Sequence, residues 1–428
     1  MDPRIRAYLL SSLSDEIDAR AAIALDVRTQ WVYDRGREFY WTISRVLRQL
    51  RGALSLSPTP AAAPPLWMTG GASASAGERL LIDVTPTRRH DIKTGIQRVV
   101  REVAAAAGGE GRGLPVFIEG GVLRRVAQDG VATEPVDIAP GDKLLLLDAG
   151  WVHVDEYPPV IDMARARGAE IVVCLYDLFP IAYAAAFPPN LQRNFRVWYE
   201  TVVLQADHVC AISNCVARDY LDRSGPRREG QRVGAFTLGS DFAHVDGAAT
   251  ARAQAIAAAG RPMFLSVGSL ACTKGQAQTL LAFESLWARG VDAAFVVVGR
   301  AGWGTIALAQ RLRRHPEHGK RLFWFDDAGD AELRYLYGAA RAVICASFAE
   351  GFGLPLVEAG RAGAPIIASD IAIFHEVAGD APAYFPLFDT AALAARIEAA
   401  IDAPREATAV AAVSWKEATH GFLALVDS

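Results

Sequence analysis

The sequence predicts an α/β fold of two Rossmann-like, doubly wound domains that face each other across a cleft. Three observations predict it. At 428 residues the chain is longer than one ordinary hydrophobic core accommodates. Short apolar runs alternate with stretches of helical periodicity in two separate blocks, the pattern of parallel sheets with crossover helices. Between the blocks the alternation stops, near residues 237–241, and an Ala- and Gly-rich stretch over 245–261 reads as the join.

Taken in order, residues 1–56 form an N-terminal helical extension. Within 37–54, Phe39, Ile43, Val46, Leu47, Leu50 and Leu54 recur at helical spacing with Arg45, Arg48 and Arg51 on the other side. Two readings of this basic helix stand: it lies on an anionic membrane surface, or it packs on protein. Residues 57–79, nearly all Pro, Ala, Ser, Gly and Thr, read as a flexible linker. The first domain spans 80–245, with strands at 80–82, 143–147 and 171–175 and helices at 95–107 and 190–204. The second spans 260–410, with strands at 263–267, 294–298, 321–325, 342–346 and 365–368. Residues 411–428 end in a helix at 415–425.

Composition removes several classes of function. A hydrophobic share of 51% with 21% charged residues is globular, and a net charge of −4 without a long basic run gives no basis for a nucleic-acid partner. Cys174, Cys210, Cys215, Cys272 and Cys345 are scattered without metal-ligand spacing, so they read as small core residues of a reducing compartment. The opening residues lack a signal peptide's apolar core, and no apolar run is long enough to span a bilayer. The expected location is the cytoplasm, with the basic helix as the element that would touch the inner face of the cell membrane.

The segment from Glu350 to Glu358 carries the chemistry. It follows the apolar run at 342–346, so it lies at the carboxyl end of a strand, where open α/β sheets bind ligands. Gly351 and Gly353 allow close backbone approach, and Pro355 suits a first helical turn. A helix beginning near Leu354 offers unpaired N–H groups and a partial positive charge to an anion, while Glu350 and Glu358 flank it as acceptors for hydroxyls. Such an arrangement describes a nucleotide-sugar pocket.

With seven residues between its two glutamates, this segment resembles the E-x7-E signature of retaining GT-B glycosyltransferases of family four, in the branch that assembles bacterial polysaccharides. Ser347, Phe348 and Ala349 before it and residues 363–370 after it fit the same family, and the likeness runs from about residue 80 to the C-terminus. The resemblance implies a GT-B fold with the active site between the lobes and a terminal helix that crosses back to the first. It implies roles as well: Glu350 on the donor sugar, Phe352, Gly353 and Leu354 as backbone donors, Glu358 on the ribose. Gly268, Ser269 and Lys274 resemble the turn whose basic residue holds the diphosphate; Gly299 and Arg300 resemble the strand end on the nucleotide side. Relatives usually add an arginine where Ser269 or Thr273 stands, so either another arginine, Arg300 or Arg98, completes the clamp or the site relies more on helix dipoles. Asp326, Asp327 and the helix start at Asp330 resemble the base-binding edge, with Asp330 as an N-cap.

On the acceptor side, Asp83, Asp148 and Asp177 end three strands of the first domain, where they are placed to bind sugar hydroxyls or to serve as buried caps. Gly95 and Arg98 resemble the family's first loop and helix, with Gly95 near the diphosphate and Arg98 able to reach it. Tyr176 precedes Asp177 where many relatives carry histidine, and its hydroxyl is expected to contact the transferred sugar. Ser213, His375 and Glu376 read as structural. No metal or cofactor is expected: Asp326 and Asp327 are adjacent rather than spaced as ligands. The expected partners are a nucleotide diphosphate sugar, best GDP-mannose, and a glycan or lipid-linked acceptor. Two other readings are compatible with the sequence: a GT-B nucleotide-sugar epimerase, and a non-catalytic scaffold of a glycan-assembly complex.

Overall fold

The computed structural model describes residues 2–25, 74–90, 94–126, 134–241, 249–302 and 304–428, and at 17–25 and 90 the backbone alone. The expected basic helix at 37–54 and most of the expected linker, 57–73, lie outside the described residues. Among the described residues no helix is long and apolar enough to cross a membrane.

In the first lobe, strands β1 (Leu80–Asp83), β2 (Gly113–Glu119), β3 (Val122–Arg125), β4 (Lys143–Leu146), β5 (Glu170–Leu175), β6 (His208–Ala211) and β7 (Arg232–Ala235) form one sheet in the order β3-β2-β1-β4-β5-β6-β7. All neighbours are parallel except the β2–β3 hairpin, whose turn is made by Gly120 and Gly121, both at positive φ. In the second, β8 (Met263–Val267), β9 (Ala294–Val298), β10 (Leu322–Phe325), β11 (Ala342–Cys345), β12 (Ile366–Ser369) and β13 (Ala383–Phe385) run parallel in the order β10-β9-β8-β11-β12-β13. Strand order therefore reverses between β1 and β4 in one lobe and between β8 and β11 in the other. Crevices at the carboxyl ends of those pairs are where such sheets take ligands. The central strands are buried on both faces, as Val- and Leu-rich parallel strands are.

Two segments depart from the sequence reading. The stretch expected to join the lobes contains a helix, Ala251–Ala257, whose Arg252 pairs with Glu332 at 2.8 Å; it belongs to the second lobe. The expected helix at 190–204 is an α-helix over Pro189–Trp198 that widens into a π-helical turn over Tyr199–Val203.

The chain leaves the first lobe after Asp241 and returns in the Trp415–Asp427 helix, which a Ser414/Glu417 capping box opens. That helix lies on the Gly95–Gly109 helix and is tied to other parts of the first lobe: Phe422 packs on Phe236 with ring centroids 4.9 Å apart, and Asp427 takes two bonds from Arg112 at 2.7 and 2.8 Å. The Pro3–Leu25 helix bridges the lobes from outside. Ile5 and Leu9 pack with Phe348 and Ala349 of the second lobe and Phe179, Tyr183 and Ala186 of the first, and Glu16 accepts from the Ala307 N–H at 3.1 Å.

Candidate functional site

The second lobe's reversal point is built from two loops. After β8, Gly268 (φ +136) turns the chain beneath the Lys274 side chain. Gly275 (φ +69) then sits so close to β11 that a Cβ would lie 2.1 Å from the Ala346 carbonyl oxygen, so only glycine fits there. This close contact fixes Lys274 over the end of β11. There Lys274 Nζ donates to both oxygens of Glu350 at 2.7 Å, and Ser347 Oγ donates to Glu350 Oε1 at 2.6 Å. The Glu350 side chain is 10% exposed and that of Lys274 26%, so the pair stands at the cleft rather than within the core.

From Glu350 the chain presses against the first lobe. A Cβ on Gly351 would fall 2.1 Å from the Tyr176 carbonyl oxygen, and the Gly351 carbonyl accepts from Ser213 Oγ at 2.8 Å. Gly353 (φ +94) then enters the Leu354–Arg361 helix with Pro355 in its first turn. Pro355 has no N–H and the Leu356 N–H donates to the Gly353 carbonyl at 2.9 Å, so the positive end of the helix dipole is presented mainly through the turn that precedes Pro355. Gly95, at the start of the Gly95–Gly109 helix, is seated over it: a Cβ there would be 3.1 Å from Leu354 Cδ1.

Glu358, a turn further on, is buried. It accepts from Tyr337 Oη at 2.8 Å and from Arg98 Nη1 at 2.9 Å, the latter across the lobes. Burial raises its pKa, against the pull of the Arg98 charge and the Tyr337 hydrogen bond. Arg98 thus engages Glu358 across the lobes.

Asp177 joins this cluster from β5. Burial pushes its carboxyl up to about 6, opposed by the Phe179 N–H bonded at 2.9 Å and by the Lys274 charge, and reinforced by Glu350. The structure therefore brings together Lys274, Glu350, Gly351, Phe352, Gly353, Leu354, Glu358, Gly95, Arg98 and Asp177, from five separate loops or helices.

Three expected residues do not reach the cleft. Tyr176 is buried and its hydroxyl donates to the Leu147 carbonyl at 2.6 Å, so it braces β4 and offers the site only backbone. Asp83 is engaged by Thr85, whose hydroxyl and N–H (3.0 Å) both donate to it, and by Tyr157 Oη at 2.7 Å. Asp148 takes the Thr87 N–H and hydroxyl at 2.7 and 2.6 Å, Gln97 Nε2 at 3.1 Å and the Ala149 N–H at 2.7 Å. Both acids organise the first lobe's own loops instead of awaiting an acceptor.

The nucleotide side is more open. Ser269 and Arg300 are exposed, and the Arg300 carbonyl accepts from Leu270 N at 2.8 Å. Gly299 (φ +149) packs on the Gly268 carbonyl, which keeps the two turns in register. Asp327 pairs with Arg252 at 2.7 Å and Asp326 with Arg313 at 3.2 Å. Asp330 is the first residue of its helix, and Gly329 stands at the N-cap.

Sequence reasoning missed Ser347 and Tyr337, the second partners of the two glutamates. Ser347 lay in the segment that resembled the family, so its place beside Glu350 was readable; Tyr337, 21 residues from Glu358, gave no signal. His375 bonds Asp370 at 2.8 Å and stacks on Tyr384, while Glu376 caps the first lobe's Asn214–Arg223 helix, accepting from the N–H groups of Asn214 and Cys215 at 2.7 and 2.8 Å.

Comparison with known proteins places these loops. Residues 249–413 match the family described as glycosyl transferases group 1. The serotype-specific mannosyltransferase WbdA of Escherichia coli is 35% identical over 330 residues, covering 72% of this chain and 39% of that protein. The O-antigen chain mannosyltransferase RfbU of Salmonella typhimurium is 50% identical over 46 residues, covering 11% of this chain and 13% of that protein. The chain spans about two fifths of the length of WbdA. Among solved structures, Anabaena HepE, determined in complex with UDP and glucose, superposes with a TM-score of 0.54 at 16% identity, over 82% of this chain and 96% of that one. Sucrose-phosphate synthase of Thermosynechococcus elongatus does so with a TM-score of 0.51 at 20% identity, over 67% and 72%. These two likenesses concern the fold, which is GT-B. The match to the group 1 glycosyl transferases thus falls on the second lobe, residues 249–413, which carries both the Lys274 and the Glu350 loops of the site.

Proposed function

We propose that the chain transfers a hexose from a nucleotide diphosphate sugar to a growing or lipid-linked glycan, with retention at the anomeric carbon, and that the donor is GDP-mannose. The observation that carries the reading is the Lys274–Glu350 pair at the β8–β11 crevice, beside the start of the Leu354–Arg361 helix that carries Glu358. In that arrangement a diphosphate meets an ammonium and the backbone N–H groups of the turn before Pro355, Glu350 accepts from donor-sugar hydroxyls, and Glu358 accepts from the ribose. Negative charge grows on the phosphate as the glycosidic bond breaks, and Lys274 stabilises it most in the transition state. The departing phosphate oxygen takes the acceptor hydroxyl's proton on the face that the sugar leaves, which preserves the anomeric configuration. The choice of mannose rests on WbdA and RfbU, both mannosyltransferases by name.

In this structure Lys274 and Glu350 satisfy each other. Donor phosphate therefore competes with Glu350 for the ammonium, and sugar hydroxyls take over the freed carboxylate oxygens. The test is a thermal-shift series with GDP, UDP, ADP and dTDP, followed by transfer from the matching mannose or glucose donor to oligomannoside acceptors. GDP is expected to give the largest shift and GDP-mannose an α-linked product. Release of a new sugar-nucleotide epimer without acceptor, or binding of none of the four nucleotides, would overturn the proposal.

A further inference from the structure

Arg98 links segments of both lobes. It lies in the first turn of the Gly95–Gly109 helix, and its guanidinium touches three separate segments. Nη1 donates to Glu358 at 2.9 Å, Nη2 donates to the Asp241 carbonyl, and the group lies over the Trp415 ring, 5.1 Å from its centroid. Asp241 and Trp415 are the two places where the chain passes between the lobes. They are also tied to each other: Trp415 N donates to Asp241 Oδ1 at 2.5 Å, Ser240 N to the Val413 carbonyl at 3.1 Å, and a Cβ on Gly239 would lie 2.4 Å from Trp415 Cα.

We propose that Arg98 is a positioning residue for donor binding: it aims the Glu358 carboxylate at the ribose and couples its occupancy to the paired interlobe crossings. The inference rests on the reading of Glu358 as the ribose acceptor. A planar fork is what the geometry uses, because one guanidinium serves a carboxylate and a carbonyl while its face rests on indole. When ribose hydroxyls engage Glu358, the Arg98–Glu358 bond is shared, and the guanidinium's hold on Asp241 and Trp415 changes with it. Any differential contact of this kind shifts the balance of lobe orientations.

A pH signature separates this role from simple packing. The titratable or charged groups around Glu358 are Arg98 on the first-lobe helix, Tyr337 and Asp330 on the Asp330–Ala339 helix, and Cys345 on β11; around Arg98 they include Asp241 and Glu102. Arg98 is the cation among those that act on Glu358. Without it the carboxyl titrates higher, so the ionised form that accepts from ribose is lost at a higher pH as pH falls.

The experiment measures GDP and UDP affinity by calorimetry from pH 5.5 to 8.5 for the full chain, Arg98→Gln and Arg98→Lys, alongside Tm. Arg98→Gln is expected to weaken the preferred nucleotide about tenfold at pH 8 and more as pH falls, with an inflection above that of the wild type. Arg98→Lys keeps the charge and is expected to restore the inflection while remaining several-fold weaker, which carries the test should Arg98→Gln fold poorly. Nucleotide-dependent hydrogen exchange at 239–241 and 413–415 is expected in the wild type and lost in Arg98→Gln. An Arg98→Gln profile superimposable on the wild type, or Arg98→Lys with wild-type affinity, would sink the Arg98 inference alone. A wild-type chain that binds neither nucleotide sinks the underlying reading as well.

Discussion

The two lobes share the strand order around their reversal points and use the crevice there in opposite ways. At the β1–β4 reversal stand Asp83 and Asp148, residues 1% and 3% exposed, each met by several donors from its own lobe. At the β8–β11 reversal stand Lys274 and Glu350, at the cleft, whose chief partner is each other. A carboxylate this deeply buried, with three or four donors of its own lobe on it, is badly placed to take a ligand. One held by an ammonium on a flexible four-carbon stem can exchange that partner for another. The same fold position is thus a buried joint in one lobe and a partly exposed ion pair at the cleft in the other.

Glu350→Gln should break the second arrangement most visibly. Turnover is expected to fall by about 10²–10³-fold, the range for losing one preorganised electrostatic contact, while Tm stays near the wild-type value. Asp148→Ala should do the reverse. It strands the Thr87 N–H and hydroxyl, Gln97 Nε2 and the Ala149 N–H in a buried site. The expected cost is about 3 kcal/mol of unfolding free energy in urea, with specific activity per folded molecule retained. A variant of Asp148 that kept its stability and lost acceptor affinity would restore the acceptor role expected from sequence.

That role illustrates what the chain makes legible and what it does not. Strands β8, β9 and β11 are short apolar runs broken only by Ser266, and their sequence positions match the structure within a residue. In the first lobe β2 carries Pro115, β6 begins with His208, and β7 is Arg232, Val233, Gly234 and Ala235; periodicity did not separate them from loops. The glycine turn at 351–353 was readable because glycine chemistry is local. The Lys274–Glu350 contact was not, since 76 residues separate the partners and only the pairing of β8 with β11 unites them. Whether an aspartate at a strand end faces solvent or its neighbours depends on the first turns of the helices at 85–90 and 95–109, whose donors are ordinary Thr and Gln residues.

Titration sharpens the contrast at smaller amplitude. Burial lifts the Asp83 carboxyl from 3.8 to about 6, outweighing its bonds from Thr85 and Tyr157. Its folded pKa lies above the unfolded one, so folding takes up a proton between about pH 4 and pH 6. The stability that this group contributes is fully present below pH 4 and is lost as pH rises through 6. The Asp177 carboxyl, also near 6, acts in the same direction. Urea midpoints measured across that window are expected to decline more steeply for the wild type than for Asp83→Asn, which retains the Asp177 slope. Parallel curves would mean that Asp83 is already ionised in the folded chain.

The smallest expected effect concerns how the two lobes hold together. Glu376, from the second lobe, accepts from the N–H groups of Asn214 and Cys215 at the start of a first-lobe helix, where a negative charge also favours the helix dipole. Glu376→Gln keeps an acceptor oxygen but removes the charge. The bond is partly exposed, so the expected loss is about 1 kcal/mol at most, in the range of an N-cap substitution. Because the contact exists only when the lobes are this close, the loss should register as a raised donor KM or a wider small-angle scattering envelope before it registers in Tm. A fall in Tm without either change would assign Glu376 to the stability of the Asn214–Arg223 helix, leaving lobe closure to Arg98, Ser213 and the Pro3–Leu25 helix.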